Sequence, residues 1–301
     1  MKKQITVFAI TTLISCLSLT VGVSLNITAL ILPLVYIVLF TVETVHSNSY
    51  YTAITVTVNI TLALILSKDL FTTFVMLPLM MLGGILTGIT VIKNYSNKLS
   101  VLWGILATGG VYAAYIIYSI KILGINPVDD MFFMMEQTLK ELSLQMGVDG
   151  AFVSSYINMS KNLYIAIMII VFSIIGFVVA YIASSALKIF RNSKQLNLSL
   201  DSFKADAATV FVYIGALIGA MFSKEGILLV VFMDLYLVLQ FYLTICGVSL
   251  VYYLVKRKIT VPVVDKIAGI ALLGASMVGI FSTIFVLGGI IDARRNFRSI
   301  K

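Results

Sequence analysis

The stretch LVVFMDLYLVLQF sets the carboxylate of Asp234 among residues that belong in hydrocarbon. A carboxylate inside an apolar helix costs at least ~2.5 kcal/mol on insertion scales and by default marks a function such as ion or solute coupling. Depth tempers that default. A helix over 226–255 would be about 45 Å long against a ~30 Å hydrocarbon core, which puts Asp234 only about 5 Å inside it. There it can reach interfacial water or pair with Lys224. A second polar concentration is Asn59 with Thr52, Thr55, Thr57 and Thr61, followed by Lys68-Asp69. Asn and Thr side chains hydrogen-bond across membrane helices for about 0.6 to 2 kcal/mol, so these residues serve as interhelical glue or line a solute pocket. Asp234, Asn59 and Thr55 are the candidate coupling residues. His46, beside Glu43, could form a proton-sensitive pair, although a solvated loop edge is the plainer expectation for both.

Enzyme motifs are absent. The single histidine rules out HExxH, and neither a GxxxxGK[ST] phosphate loop nor a GxSxG elbow occurs. The carboxylates inside apolar runs do not pair on one segment. A non-enzymatic chain with no cofactor and no metal site is expected. Cys16 and Cys246 both lie in apolar runs and read as small buried hydrophobes. The start, with Lys2, Lys3 and LISC, has the look of a lipoprotein signal, but the chain runs on as LSLTVGV where a polar mature start would follow. An uncleaved first span is expected.

The elements that must position these residues follow from composition. Of 301 residues, 60% are hydrophobic and only 11% charged, whereas a soluble domain carries about 25% charged residues. Apolar runs recur from end to end and lack the alternation of barrel strands. Helices alone then satisfy the backbone in lipid, which makes this an all-α, polytopic membrane protein. The net charge of +8 sits in short loops, as the positive-inside rule expects, and does not indicate nucleic acid.

Charges and turn residues divide the chain into nine apolar segments, 5–23, 28–42, 50–66, 70–92, 101–122, 163–190, 207–222, 226–255 and 267–291. Basic clusters at Lys93/Lys98, at Lys188 to Lys204, at Lys256-Arg257-Lys258 and in the tail favour eight crossings in a bacterial cytoplasmic membrane, with both termini inside. The acidic stretch 123–160 then lies outside. Within it Asp129 is a plausible cap, and Phe132, Met135, Leu139, Leu142 and Met146 form one apolar stripe, the mark of a surface helix over 129–146. One membrane domain is expected, with a six-helix core over 1–190 and C-terminal helices with a basic tail over 205–301. Gly84-Ile-Leu-Thr-Gly88 and Gly215-Ala-Leu-Ile-Gly219 have the small-xxx-small spacing that lets helix backbones approach.

The C-terminal pattern DLYLVLQFYLTICGVSLVYYLVKRK, a last apolar segment and GGIIDARRNFRSIK resemble the YybS-like family of bacterial membrane proteins, a domain of unknown function. Gly247, Asp292, Phe297 and Arg298 match its pattern, while Cys246 stands where that family often has Gln. Pro33 and MMLGGILTGITVIKNYSNK carry the likeness in the first half. The first six helices are also similar in style to the substrate-binding subunits of energy-coupling-factor transporters and to MreD. Those likenesses imply a solute-binding subunit that needs a separate coupling protein and ATPase, or else a scaffold for envelope or signalling proteins.

Overall fold

The structure is a computed structural model that describes residues 2–24, 28–67, 69–146, 150–189, 200, 203–223, 226–258, 262–276 and 278–295. These residues form helices and short connections, with no strand among them. In chain order the helices are α1 (Lys2–Ser24), α2 (Thr28–His46), α3 (Ser49–Leu66), α4 (Leu77–Ile92), α5 (Asn97–Tyr118) and α6 (Pro127–Met146). They continue as α7 (Gly150–Asn162), α8 (Tyr164–Ile189), α9 (Ala207–Phe222), α10 (Ile227–Lys256), α11 (Pro262–Ala275) and α12 (Gly279–Arg295). A π-helical turn, Thr72–Met76, leads into α4, and another, Ser119–Leu123, extends α5.

Six of the helices are long and apolar enough to cross a membrane, and a seventh crossing is reached if Ile267–Ala275 and Gly279–Arg295 make one broken span. The apolar segment 267–291 is thus two helices, bent by 108°. The shorter apolar helices Leu32–His46 and Ala207–Phe222 would have to contribute for the expected eight crossings.

Helix starts follow local chemistry. Asp206 Oδ1 accepts from the Thr209 N–H at 2.8 Å and caps α9. Asp69 accepts from Phe71 N–H and Thr72 N–H, each at 3.0 Å, and so starts the turn that leads into α4. At α6 the cap is Asn126, whose Oδ1 accepts from Val128 N–H at 3.2 Å. The expected cap, Asp129, instead accepts from Asn126 Nδ2 at 2.6 Å. Proline at the first helical position explains the shift, since its missing N–H needs no partner there. The apolar stripe of α6 is inward only in its first half: Phe132 is buried, Leu142 is exposed, and Ser143 takes the buried position. The stretch that follows adds the helix α7, which the sequence pattern does not announce.

The chain divides into two compact units, Met1–Ser154 with Val171–Leu198, and Ser155–Ile170 with Ser199–Lys301. The division cuts through α7 and α8 and has its last boundary between Leu198 and Ser199. In the first unit α4 is the most buried span, lying against α2 and α5. A β-carbon at Gly84 would stand 2.7 Å from the Ile37 carbonyl oxygen, and one at Gly88 2.6 Å from Thr44 Cβ. These two glycines therefore allow α4 to lie directly on α2.

The second unit packs α10 against α12 and α9, with a core of Ala205, Tyr213, Leu243, Cys246 and Val286. Its closest approach is at Gly247, where an added β-carbon would meet the Phe285 carbonyl oxygen at 1.8 Å, while one at Gly289 would meet Leu243 O at 2.4 Å. Asp292 is buried on α12 three residues beyond Gly289. Phe297 and Arg298, the remaining members of that pattern, lie outside the described residues. The Gly215 and Gly219 pair does not act as expected. A β-carbon on Gly219 would press on the Phe232 ring at 2.6 Å, but around Gly215 there is nothing within 4 Å. Gly215 lies on an exposed face of α9, and among the described residues its small size is not used for packing.

Gly247→Ala is expected to lower the melting temperature of the detergent-extracted protein, because it forces α10 and α12 apart at a cost of about 1–3 kcal/mol. Gly215→Ala, with open space around it, should leave the melting temperature unchanged or raise it slightly. Thermal unfolding of the two variants beside the parent checks both.

Candidate functional site

The inward faces of the first three helices are spaced regularly. On α1 the buried positions Val7, Thr11, Ser15 and Leu19 recur every four residues, and on α3 Thr52, Thr55, Asn59 and Ala63 do much the same. Both stripes are apolar at one end and polar in the middle, and between them stands α2 with Tyr36 and Glu43. The threonines that look like one cluster in the sequence are thereby sorted by face. Thr55 points inward, whereas Thr57 and Thr61 point outward and donate back to Ala53 O and Thr57 O, at 3.0 and 2.9 Å.

Glu43 has 0% exposure. The structure overturns the expectation of a solvated loop edge, because α2 runs on to His46 rather than ending at 42 and so carries Glu43 into the bundle. Its Oε1 accepts from Thr55 Oγ1 at 2.6 Å, and its Oε2 accepts from Thr11 Oγ1 at 3.1 Å. Thr12 Oγ1 lies 2.9 Å from Thr55 Oγ1, which links α1 to the same carboxylate a second time. No cation stands within ion-pair distance of Glu43 among the described residues. Its side-chain partners among the described residues are the hydroxyls of Thr11 and Thr55.

Asn59 completes the cluster on the side toward Ser15. Its Oδ1 accepts from Tyr36 Oη at 2.6 Å, and its Nδ2 donates to Ser15 Oγ and to the Thr55 carbonyl, both at 2.9 Å. Tyr36 Oη also reaches the Ser15 carbonyl at 3.2 Å. Every polar side chain here has its partner in a neighbouring helix, as burial requires. A groove lined by Thr57, Val58, Thr61, Leu62 and Ile65 runs along α3, on the side where Thr57 and Thr61 point outward.

Asp234 belongs to the second unit, Asn59 and Thr55 to the first. Its carboxylate is hydrogen-bonded to the backbone of Ala166, in the first turn of α8, and its Oδ1 has no partner among the described residues. Acceptance from a first-turn N–H places it at the positive end of that helix. The alternative partner, Lys224, lies outside the described residues. Neither Cys16 nor Cys246 is in a disulfide, and no group of three or more metal-ligating side chains occurs among the described residues.

Long apolar helices joined by short loops, with a carboxylate and an amide enclosed by hydroxyls, define a multi-pass integral membrane protein. A family model of predicted membrane proteins, the domain of unknown function DUF2232, matches residues 9–293. The chain belongs to that family, consistent with its YybS-like pattern. No curated protein and no solved structure matches it.

Asn59→Ala strips Tyr36 and Ser15 of a partner at once and should destabilise the protein by about 0.6–2 kcal/mol. Thr57→Ala, outward and bonded only within α3, should change stability by less than about 0.5 kcal/mol. Melting temperatures in one detergent distinguish the two.

Proposed function

We propose that this protein is a non-enzymatic subunit of a transport system in the bacterial cytoplasmic membrane, with its N-terminus on the cytoplasmic side. Its binding centre is the cluster of Glu43, Thr55 and Asn59 in the first unit. What supports this is the complete burial of Glu43 among hydroxyls of two other helices, since an ionisable group enclosed in a membrane bundle marks an ion or solute pathway by default. The chain lacks a phosphate loop, so energy would come from a separate ATPase through a membrane coupling protein. The coupling role falls to Glu43 rather than Asp234, whose carboxylate serves the start of α8.

A membrane scaffold is the second reading, favoured by α6, where Phe133, Met134 and Leu144 are 60%, 61% and 84% exposed. Such side chains offer a docking face to an envelope or signalling protein.

Native mass spectrometry of the chain, gently extracted at its natural expression level, separates the two. A retained small molecule or co-purifying ATPase and coupling subunits are expected. Envelope or signalling proteins in their place, with no small molecule, would replace transport by the scaffold. In cells, Asp234→Asn should be almost silent, because the amide oxygen can still accept from Ala166.

A further inference from the structure

A threonine hydroxyl carries one proton and two lone pairs, and counting protons around Glu43 exposes an ambiguity that the heavy atoms leave intact. Thr11 Oγ1 lies 3.1 Å from Glu43 Oε2, but also 2.9 Å from Val7 O and 3.1 Å from Phe8 O. Its one proton serves a single acceptor well. With Glu43 ionised, Thr11 donates to Oε2 and Thr55 donates to Oε1. With a proton on Oε2, the carboxyl O–H donates to Thr11 Oγ1, and Thr11 turns its own proton to Val7 O. Thr55 donates to Oε1 in both cases, and Thr12 can donate to Thr55 at 2.9 Å. Every distance is already suitable for both arrangements, so only hydroxyl hydrogens move.

We propose that the Glu43–Thr11–Thr55 cluster is a proton-binding site, in which one proton is taken up at Glu43 Oε2 and the Thr11 hydroxyl rotates to accept it. Proton binding at Glu43 does not require that a solute be carried.

Spacing argues for a proton over a metal ion. Hard cations hold oxygen ligands at about 2.0–2.6 Å, which in octahedral geometry keeps adjacent ligand atoms about 2.9 Å or more apart. Thr55 Oγ1 and Glu43 Oε1 are 2.6 Å apart, a hydrogen-bond distance with no room for an ion between them.

Among the described residues, the surroundings supply no fixed charge that would hold the carboxylate in one state. The helix α4 brings no ionisable side chain. On α1 the nearest is Cys16, half-buried, and on α3 it is Tyr51, whose ring packs on Phe8 at 5.1 Å. On α2 itself are Tyr36, committed to Asn59 and Ser15, and the half-buried His46. Val42 packs with Val91, Val101 and Leu187 of α4, α5 and α8, and the cations near those helix ends, Lys93, Lys98 and Lys188, are exposed.

Infrared difference spectra of the full chain in nanodiscs, recorded across the pH range in which it stays folded, test the proposal. A protonated-carboxyl stretch that exchanges with carboxylate bands is expected, absent from Glu43→Gln and moved to higher frequency in Thr55→Val, where the carbonyl loses its donor. Should Glu43→Gln not fold, the Thr55→Val shift alone makes the assignment. Coincident titrations of parent and Glu43→Gln, or a carboxyl band that Thr55→Val leaves in place, would overturn it. So would a band that responds to added sodium at fixed pH and not to pH.

Discussion

A carboxyl group cut off from water must find its hydrogen bonds among its neighbours or forfeit several kcal/mol, and that constraint on Glu43 governs the first unit. The side chain has 0% exposure and takes donors from α1 and α3. Rotating α3 by one residue would bring Val56 or Ile54 to the position of Thr55 and leave the carboxylate without its shortest bond. The Asn59 contacts to Tyr36 and Ser15 repeat the demand one turn away along α3. Register and rotation of three helices are therefore specified by polar groups, in a setting where apolar contacts discriminate poorly because lipid is as apolar as leucine.

Close backbone approach does the complementary work. Gly84 and Gly88 seat α4 on the back of α2, so the helix that carries Glu43 is held from one side by glycines and from the other by hydroxyls. The same economy appears in the second unit, where Gly247 and Gly289 bring α10 and α12 together backbone to backbone. Family membership over residues 9–293 spans both arrangements.

Much of this was legible in the sequence. Long uncharged runs and their punctuation mark most of the helices, because hydropathy and length alone decide what can span. Asn59 and Thr55 stand out as a polar group inside an apolar segment, and the structure puts both at the centre of the cluster. In the sequence Glu43 reads as a loop edge, because it follows an apolar run that stops at residue 42 and has His46 nearby. The 52, 55, 59, 63 spacing on α3 and the 7, 11, 15, 19 spacing on α1 were available signals, since they assign polar residues to a buried stripe. What sequence could not supply is the pairing of those stripes across α2, which depends on how helices rotate. The same holds for Gly215, whose spacing matches that of Gly84 but whose surroundings are empty, and for the α8 first turn beside Asp234.

The central claim is that one carboxylate joins α1 to α3, and a double-mutant cycle on its two donors tests it most directly. Thr11→Val and Thr55→Val each preserve shape and remove one hydroxyl, and unfolding free energies of the parent, both singles and the double are compared in one detergent. Donors that share an acceptor should be coupled, with the double variant departing from the sum of the singles by about 0.5–3 kcal/mol, since only the double leaves Glu43 with no hydroxyl at all. Additivity within about 0.3 kcal/mol would mean that the two threonines do not meet at Glu43, and the cluster as described would be wrong.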